Sequence, residues 1–356
     1  MKRRLKILLE ILLEKMPSGW SDRVSGMATD FRLFLSKRYP GNRWLRPLIS
    51  ACNFIIVRTN GDTFTEFELS NICNARCVFC PYPDMLRTDK KFMHMQRETL
   101  EKVKQVLQGK KRMMVSFTPT TGDTLLHPEW DVYMREVLNL SSINRATMFT
   151  NAIELDKEAC EKLMALFKAD TKGKLSQLYF SVGGYDAQTY KALYQVDRFD
   201  KVTANIRYLI EQLKSRGLSI GIHIHLKLKS GDTENPAIAQ ALFNPGDYPF
   251  VYYSHSKQYF SNDGYTRNAL LQYYPSEVMD TSKACAYLRK TRFAADGGVW
   301  ADGCVISEMP GDSSLKLGQI DDNFALIEKR REGIINDWEK NGIKPLPCQG
   351  CTMYRA

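Results

Sequence analysis

ELSNICNARCVFCPYP, residues 68–83, decides how the rest of the chain is read. It carries three cysteines, Cys73-x3-Cys77-x2-Cys80, immediately after TFTEFEL at 63–69, whose aromatic and β-branched residues predict a strand. A zinc site normally takes four ligands, with one tight C-x2–4-C pair joined by another. Here three thiols stand with no fourth Cys or His near them in sequence. Three thiolates on a cubane [4Fe-4S] cluster leave one iron open, and an open iron can hold a substrate or cofactor.

Outward from that loop the pattern repeats, an apolar or alternating strand followed by an amphipathic helix. A helix near 96–109 follows the first strand; then come MMVSFTP at 113–119 with helix 129–139, RATMFTN at 145–151 with helix 155–168, and QLYFSVG at 177–183 with helix 198–215. SIGIHIHLKL at 219–228, a short helix near 234–243 and FVYYS at 250–254 complete the series. Six strands separated by helices predict a parallel sheet, because parallel strands need crossover connections. No G-x-G-x-x-G follows the first strand, which argues against a dinucleotide fold, and polar residues gather at the C-terminal strand ends as at the mouth of a barrel. The expected fold class is α/β, a partial (β/α)6 barrel of the TIM type over 61–260, with an open sheet as the alternative. A helical extension over 1–60 precedes it, and a small α+β module over 261–356 follows.

The composition narrows the function. At 356 residues the chain exceeds one hydrophobic core, and its 44% apolar and 25% charged residues exclude disorder, collagen and coiled coil. No stretch reaches the eighteen or so uncharged apolar residues of a spanning helix. The net charge of +10 is spread along the chain, with short basic runs only at 2–6 and 102–112, so nucleic acid is not an expected partner. MKRRLK runs into LLEILLEK, with Glu10 and Glu14 inside the apolar stretch and no small-residue cleavage site, unlike a signal peptide. The expected location is therefore cytoplasmic, and clustered thiols there mean metal or redox chemistry rather than disulfides. Leu5, Leu8, Leu9, Leu12 and Met16 share a helical face. That face is expected to pack on the protein itself; membrane-surface contact through residues 1–16, with Arg3, Arg4 and Lys6 on anionic headgroups, is the alternative.

The fifth strand alternates unusually. His223, His225, Lys227 and Lys229 share one face, and Ile222, Ile224, Leu226 and Leu228 the other. If helices cover the aliphatic face, the polar series points into the barrel, where the histidines would serve as acid–base or hydrogen-bonding groups. A solvated edge strand is the alternative.

The cysteine loop, with Phe79 just before its last cysteine, resembles the CxxxCxxC loop of radical S-adenosylmethionine (radical SAM) enzymes. The resemblance implies that Cys73, Cys77 and Cys80 hold a [4Fe-4S] cluster whose free iron chelates the amino and carboxylate groups of SAM. It further implies cleavage of the sulfonium to a 5′-deoxyadenosyl radical, with the electron supplied by a reductant such as flavodoxin or ferredoxin. The family's GGEP segment is matched by Thr121, Gly122, Asp123 and Thr124 of TTGDT; Asp123 is one methylene shorter than the usual Glu, and Thr124 stands for Pro. The S-x-D-G segment is matched by YFSVGGYD, which keeps Ser181, lacks the aspartate and offers Gly183 and Gly184 for close backbone approach. Asn151 in FTNA matches a TNG segment whose glycine is Ala152 here, and is expected either to touch a bound molecule or to close a turn. Lys227 or Lys229 would pair with the SAM carboxylate or an anionic substrate. Phe79, Thr121, Gly122, Asp123, Thr124, Asn151, Ser181, Lys227 and Lys229 are thus the expected cofactor-binding residues, and His223 and His225 the expected catalytic pair.

Cys285, Cys304, Cys348 and Cys351 form a second group, separated by 18, 43 and 2 residues. Zinc ribbons close with two tight pairs, and this group has one. It resembles the twitch/SPASM modules that follow radical SAM barrels: a Cys, a glycine-containing hairpin, a Cys, a gap, then C-x2-C. Gly298 lies six residues before Cys304, one more than the family shows, and the further cysteines of a full SPASM domain are missing. One auxiliary [4Fe-4S] cluster, as in the twitch form, is implied. An electron passed to such a cluster would make the reaction an oxidation; a hydrogen returned from the opposite face would make it an epimerisation. Peptide-modifying members often carry a leader-binding winged-helix domain, and residues 1–60 read as too short and too helical for one. The expected substrate is a small polar molecule, a sugar, aminosugar or cyclitol. A ribosomal peptide is the alternative, and a non-enzymatic iron-sulfur electron carrier a third reading.

Overall fold

In a computed structural model of the chain, residues 63–110, 113–167, 173–259, 268–274, 282–301, 312–349 and 351 are described here. The readings placed on residues 1–60 and on Cys304 lie outside them. Six parallel strands form the expected series: β1 Thr63–Phe67, β2 Met113–Phe117, β3 Ile143–Thr150, β4 Leu175–Gly183, β5 Gly221–Lys227 and β6 Val251–Ser256. They lie in sequence order from β1 to β6, as a partial TIM-type barrel requires.

The crossover helices follow from their apolar spacing. The first long one, Arg97–Gln108, buries Leu100, Val103 and Leu107. Helices Trp130–Asn139, Lys157–Phe167 and Phe199–Ser215 fall where the periodicity puts them, and the short Pro236–Phe243 starts from Asn235, whose side chain accepts from Ile238 N–H. Missing from the sequence reading is the helix Ala187–Tyr194, here α1, which begins at Asp186 with its carboxylate on the Thr189 N–H and ends at Gln195 in a left-handed turn.

The two sheet faces differ in chemistry. On the helix side Leu178, Phe180 and Val182 of β4 and Ile222, Ile224 and Leu226 of β5 are fully buried, each contributing on the order of 1.5–3 kcal/mol. The concave side carries Ser116, Thr147, Phe149, Gln177, Tyr179, Ser181, His223, His225, Ser254 and Ser256, of which all but Ser116 and Thr147 are half-buried. A closed (β/α)8 barrel fills that space with layers of branched aliphatics; this one lines it with polar groups.

Three strands of the expected C-terminal module join the same sheet. β7 Gln258–Tyr259 and β8 Gln272–Tyr273 form a small separate pair, whereas β9 Thr291–Phe293 runs parallel to β1. β10 Gly298–Trp300 and β11 Lys316–Gln319 then extend the sheet antiparallel. Across this junction Phe67 lies between Phe117 and Phe293, with ring centroids 5.8 and 5.7 Å away. Helix α2, Phe324–Asn341, packs behind through Ile327, Arg331, Ile335 and Trp338. Among the described residues no helix is long and apolar enough to cross a membrane.

Candidate functional site

The first cysteine loop leaves the C-terminal end of β1 and is tied down from three sides. Asn71 clamps the following segment, its Oδ1 accepting from Met93 N–H at 2.6 Å and its Nδ2 donating to the Lys91 carbonyl at 3.1 Å. From the β2 side, Asp123 N–H donates to the Ile72 carbonyl at 2.9 Å. From the third side the last turn of α1 presents two carbonyls, Tyr194 accepting from Arg76 N–H at 3.0 Å and Leu193 from Val78 N–H at 2.9 Å. These two bonds bracket Cys77. Gly183 makes the approach of α1 feasible, since a Cβ there would sit 2.8 Å from the Tyr194 ring and 3.2 Å from Tyr190 Cα. The Gly183–Gly184 pair thus accommodates its own helix, Gly184 doing so against Thr189. Close backbone approach was expected there; what approaches is α1.

Burial governs the thiols. It pushes Cys73 up to about 12, with Asp123 adding to the effect, and Cys80 up to about 11. Cys77 rises well above the ordinary thiol range through burial and then through the neighbouring Cys80 and Cys73. The three are close enough to feel one another, yet among the described residues no three Cys, His, Asp or Glu side chains converge tightly enough to hold one metal ion. Two donors already face the sulfurs: Tyr82 N–H reaches Cys80 Sγ at 3.5 Å and Asn151 Nδ2 reaches Cys73 Sγ at 3.8 Å.

Around the loop the remaining expected residues take definite places. Gly122 has φ +151°, and a Cβ on it would meet the Ser70 carbonyl oxygen at 2.3 Å, so the Thr121–Asp123 turn lies directly on the chain leading to Cys73. The Asp123 carboxylate accepts from Leu125 N–H, Thr150 Oγ1 and Asn151 N–H at 2.7–3.0 Å. Those donors hold its carboxylate toward the end of β3, while burial raises its pKa to about 6. Thr124 Oγ1 donates to the Phe117 carbonyl at 3.2 Å, whereas the hydroxyls of Thr120 and Thr121 are buried without a partner. Asn151 bridges to Asn74 at 2.8 Å besides Cys73, and Ala152 takes φ +60° where the family's glycine would stand. Ser181 Oγ lies 2.7 Å from the Tyr194 hydroxyl.

Phe79 stacks on Tyr259 and meets Tyr194 edge-on. Above both Phe79 and Tyr259 stands the Lys227 ammonium, 5.4 and 5.9 Å from the ring centroids. Burial lowers its pKa to about 8, against the pull of Cys77 and Cys80. Lys229 lies two residues past the strand end, its N–H on Asp232 Oδ2 at 2.9 Å.

Deeper in the barrel His223 and His225 point from β5 to β6, each with Nε2 2.7 Å from a hydroxyl, Ser254 and Ser256 respectively. Tyr179 lies 4.9 Å from the His223 ring and stacks on Phe149 at 4.1 Å with an interplanar angle of 1°. Burial lowers both histidines, His225 to about 3 with further lowering from Lys227, His223 and His255. The lowering favours the neutral form of each ring, which can both donate and accept a hydrogen bond. Sequence reasoning missed Ser254 and Ser256, although continuing the alternation of FVYYS would have placed them on this face.

Of the second cysteine group, Cys285 and Cys348 share an apolar cluster with Leu288, Leu315, Trp300 and Trp338. Cys351 is half-buried near the chain end. Arg331 braces this cluster by donating to the carbonyl of Leu288 at 2.8 Å, to Thr291 Oγ1 at 2.7 Å and to the Lys290 carbonyl. Between the two cysteine regions Glu68, the residue after β1, and Arg292 of β9 form a fully buried ion pair: Arg292 donates to Glu68 at 3.2 Å and lies 5.0 Å under the Trp300 ring, while Ala295 N–H donates to the other Glu68 oxygen at 3.2 Å. Beside it opens a cleft of about 570 Å³ lined by residues that include Glu68, Asn71, Asp89, Lys91, Trp300 and Lys316. Cys160 is fully buried in its helix and bonded to the Leu155 carbonyl.

Residues 67–234 match the Radical SAM superfamily. No curated protein matches the chain significantly. Among solved structures, native anSMEcpe with bound AdoMet is 15% identical and superposes with a TM-score of 0.52 over 78% of this chain and 84% of that one. Streptococcus suis SuiB bound to the precursor peptide SuiA is 13% identical, with a TM-score of 0.52 over 86% of this chain and 75% of that one. At such identities the likeness is one of fold.

Proposed function

This chain belongs to the radical SAM superfamily, and from that premise we propose that it removes hydrogen from a small polar substrate held on the concave face of the sheet. Cys73, Cys77 and Cys80 would hold a [4Fe-4S] cluster that, once reduced by an external donor, would supply the one electron needed to split SAM into methionine and a hydrogen-abstracting 5′-deoxyadenosyl radical. The chain's part is to bind, orient and exclude water. The unpartnered hydroxyls of Thr120 and Thr121 beside the cysteine loop suit the polar methionyl end of SAM, and Lys227, above Phe79, suits its carboxylate.

The observation that carries the substrate class is the polar, half-buried lining of the barrel. His223 with Ser254 and His225 with Ser256 offer neutral donors and acceptors to hydroxyl or amino groups, and the stacked Phe149 and Tyr179 offer a flat wall. A sugar, aminosugar or cyclitol fits that chemistry. Oxidation is favoured over epimerisation because Cys160, the described cysteine outside both groups, is sealed in the core and supplies no hydrogen from the opposite face. In an oxidation the substrate radical gives up one further electron and one proton, and Cys285, Cys304, Cys348 and Cys351 would hold the acceptor cluster. The mixed-charge cleft beside Trp300 favours a second reading, a peptide substrate, because it would admit an extended chain.

The test is mass spectrometry of a metabolite pool incubated anaerobically with reconstituted protein, dithionite and SAM. A metabolite two mass units lighter, matched by 5′-deoxyadenosine, is expected. A mass-neutral product would establish epimerisation, and turnover only with added peptides would establish the second reading. No SAM consumption at all would leave an electron carrier.

A further inference from the structure

We propose that the Tyr190 hydroxyl donates a hydrogen bond to a sulfur of the iron-sulfur group held by Cys73 and Cys77 and so raises that group's reduction potential. This rests on the reading that the first cysteine group binds a cluster.

Tyr190 is fully buried, and its hydroxyl has no hydrogen-bond partner in the structure. A buried hydroxyl left unpaired costs on the order of 1–3 kcal/mol, so its retention calls for a partner. The ring is held firmly, stacked on Tyr194 at 4.7 Å with an interplanar angle of 12° and tilted against Phe199 at 5.9 Å. The Tyr194 ring it stacks on meets Phe79 of the cysteine loop edge-on, and the Tyr194 carbonyl accepts from Arg76 N–H, which sets Tyr190 beside that loop; burial, then Cys77, Cys73 and Asp123, raise its pKa. Asp123 already accepts from Leu125, Thr150 and Asn151. That leaves sulfur as the acceptor on this side. Tyr194, one helical turn on, shows the contrast, since its hydroxyl is paired with Ser181 at 2.7 Å. The helix carrying both tyrosines also supplies the carbonyls that bracket Cys77, so one element holds the loop and presents the donor. Hydrogen bonds to cluster sulfurs favour the reduced, more negative state and move the potential upward.

The experiment compares anaerobically reconstituted parent and Tyr190→Phe proteins, without SAM, by iron and sulfide analysis and an EPR-monitored redox titration. Tyr190→Phe keeps the ring stack and removes only the donor. Unchanged iron content, a more negative midpoint potential and altered EPR g-values are expected. As an opposite perturbation, difluorotyrosine at position 190 has a more acidic hydroxyl and should move the potential upward; it decides the matter if Tyr190→Phe loads poorly. Both proteins titrating with the parent's potential and spectrum would overturn the inference while leaving the cluster assignment intact. A parent protein that takes up no iron and sulfide would overturn both.

Discussion

Substituting Gly122 by alanine should release the turn that lies on the cysteine loop, and the size of the effect follows from two separable terms. The φ of +151° is disfavoured for any residue with a Cβ, a strain of about 1–3 kcal/mol. The added methyl would also meet the Ser70 carbonyl oxygen at 2.3 Å and the Asn71 Cα at 2.8 Å, both backbone atoms, and overpacking of this kind costs about 1–3 kcal/mol. Together these give about 2–6 kcal/mol, a large share of the ~5–15 kcal/mol stability of a typical domain. At about 2–4 °C per kcal/mol the thermal midpoint of the apo-protein, followed by far-UV circular dichroism, should fall by roughly 10 °C. Iron uptake should drop with it, because Asp123 N–H would be pulled off the Ile72 carbonyl just before Cys73. Gly333→Ala is the control: it lies inside helix Phe324–Asn341 with open space around it, so alanine should stabilise by about 0.5–1 kcal/mol. A Gly122→Ala protein that melts within 2 °C of the parent and loads iron normally would refute the close approach of the turn to the loop, with ~2 °C being the effect of about 1 kcal/mol or less.

Lys227→Met should leave iron content unchanged but weaken SAM binding by about tenfold or more, the value of a charged hydrogen bond worth ~1.5–3 kcal/mol; an unchanged dissociation constant would remove Lys227 from the SAM site. His225, with its pKa lowered to about 3, should contribute no ionisation to the rate between about pH 5 and 9. The unfolded chain binds a proton at this ring near 6.5 while the native protein stays neutral to about 3, so the parent should lose stability relative to His225→Gln as pH falls through that window. Equal pH dependence of the two melting curves would refute its burial. Arg292→Met should destabilise by about 3–5 kcal/mol by stranding the buried Glu68 carboxylate, and adding Glu68→Gln should recover part of that loss in the same melting assay.

The six strand–helix units could be read directly from the sequence because their signals are local. Alternation in GIHIHLK and the spacing of Leu100, Val103 and Leu107 do not depend on distant residues. Helix Ala187–Tyr194 escaped because it is only two turns long and follows two glycines; Asp186 three residues before Thr189 was the signal present. The site was legible in its residue types and less so in their orientation. Asp123 was identified, but which way its carboxylate turns depends on Thr150 and Asn151, brought to it by the pairing of β2 with β3. The Glu68–Arg292 pair joins residues 224 positions apart, and no local pattern announces that β9 will lie beside β1. His223 and His225 were correctly placed on one strand face, yet their neutrality comes from burial that composition does not reveal.

The central claim is that Cys73, Cys77 and Cys80 support reductive cleavage of SAM, and 5′-deoxyadenosine formation tests it most directly. Protein reconstituted with iron and sulfide under anaerobic conditions should convert SAM to 5′-deoxyadenosine and methionine when dithionite is added, and the Cys73→Ala, Cys77→Ala, Cys80→Ala triple variant should convert none. Absence of 5′-deoxyadenosine from the fully loaded parent, or its undiminished formation by the triple variant, would contradict the account.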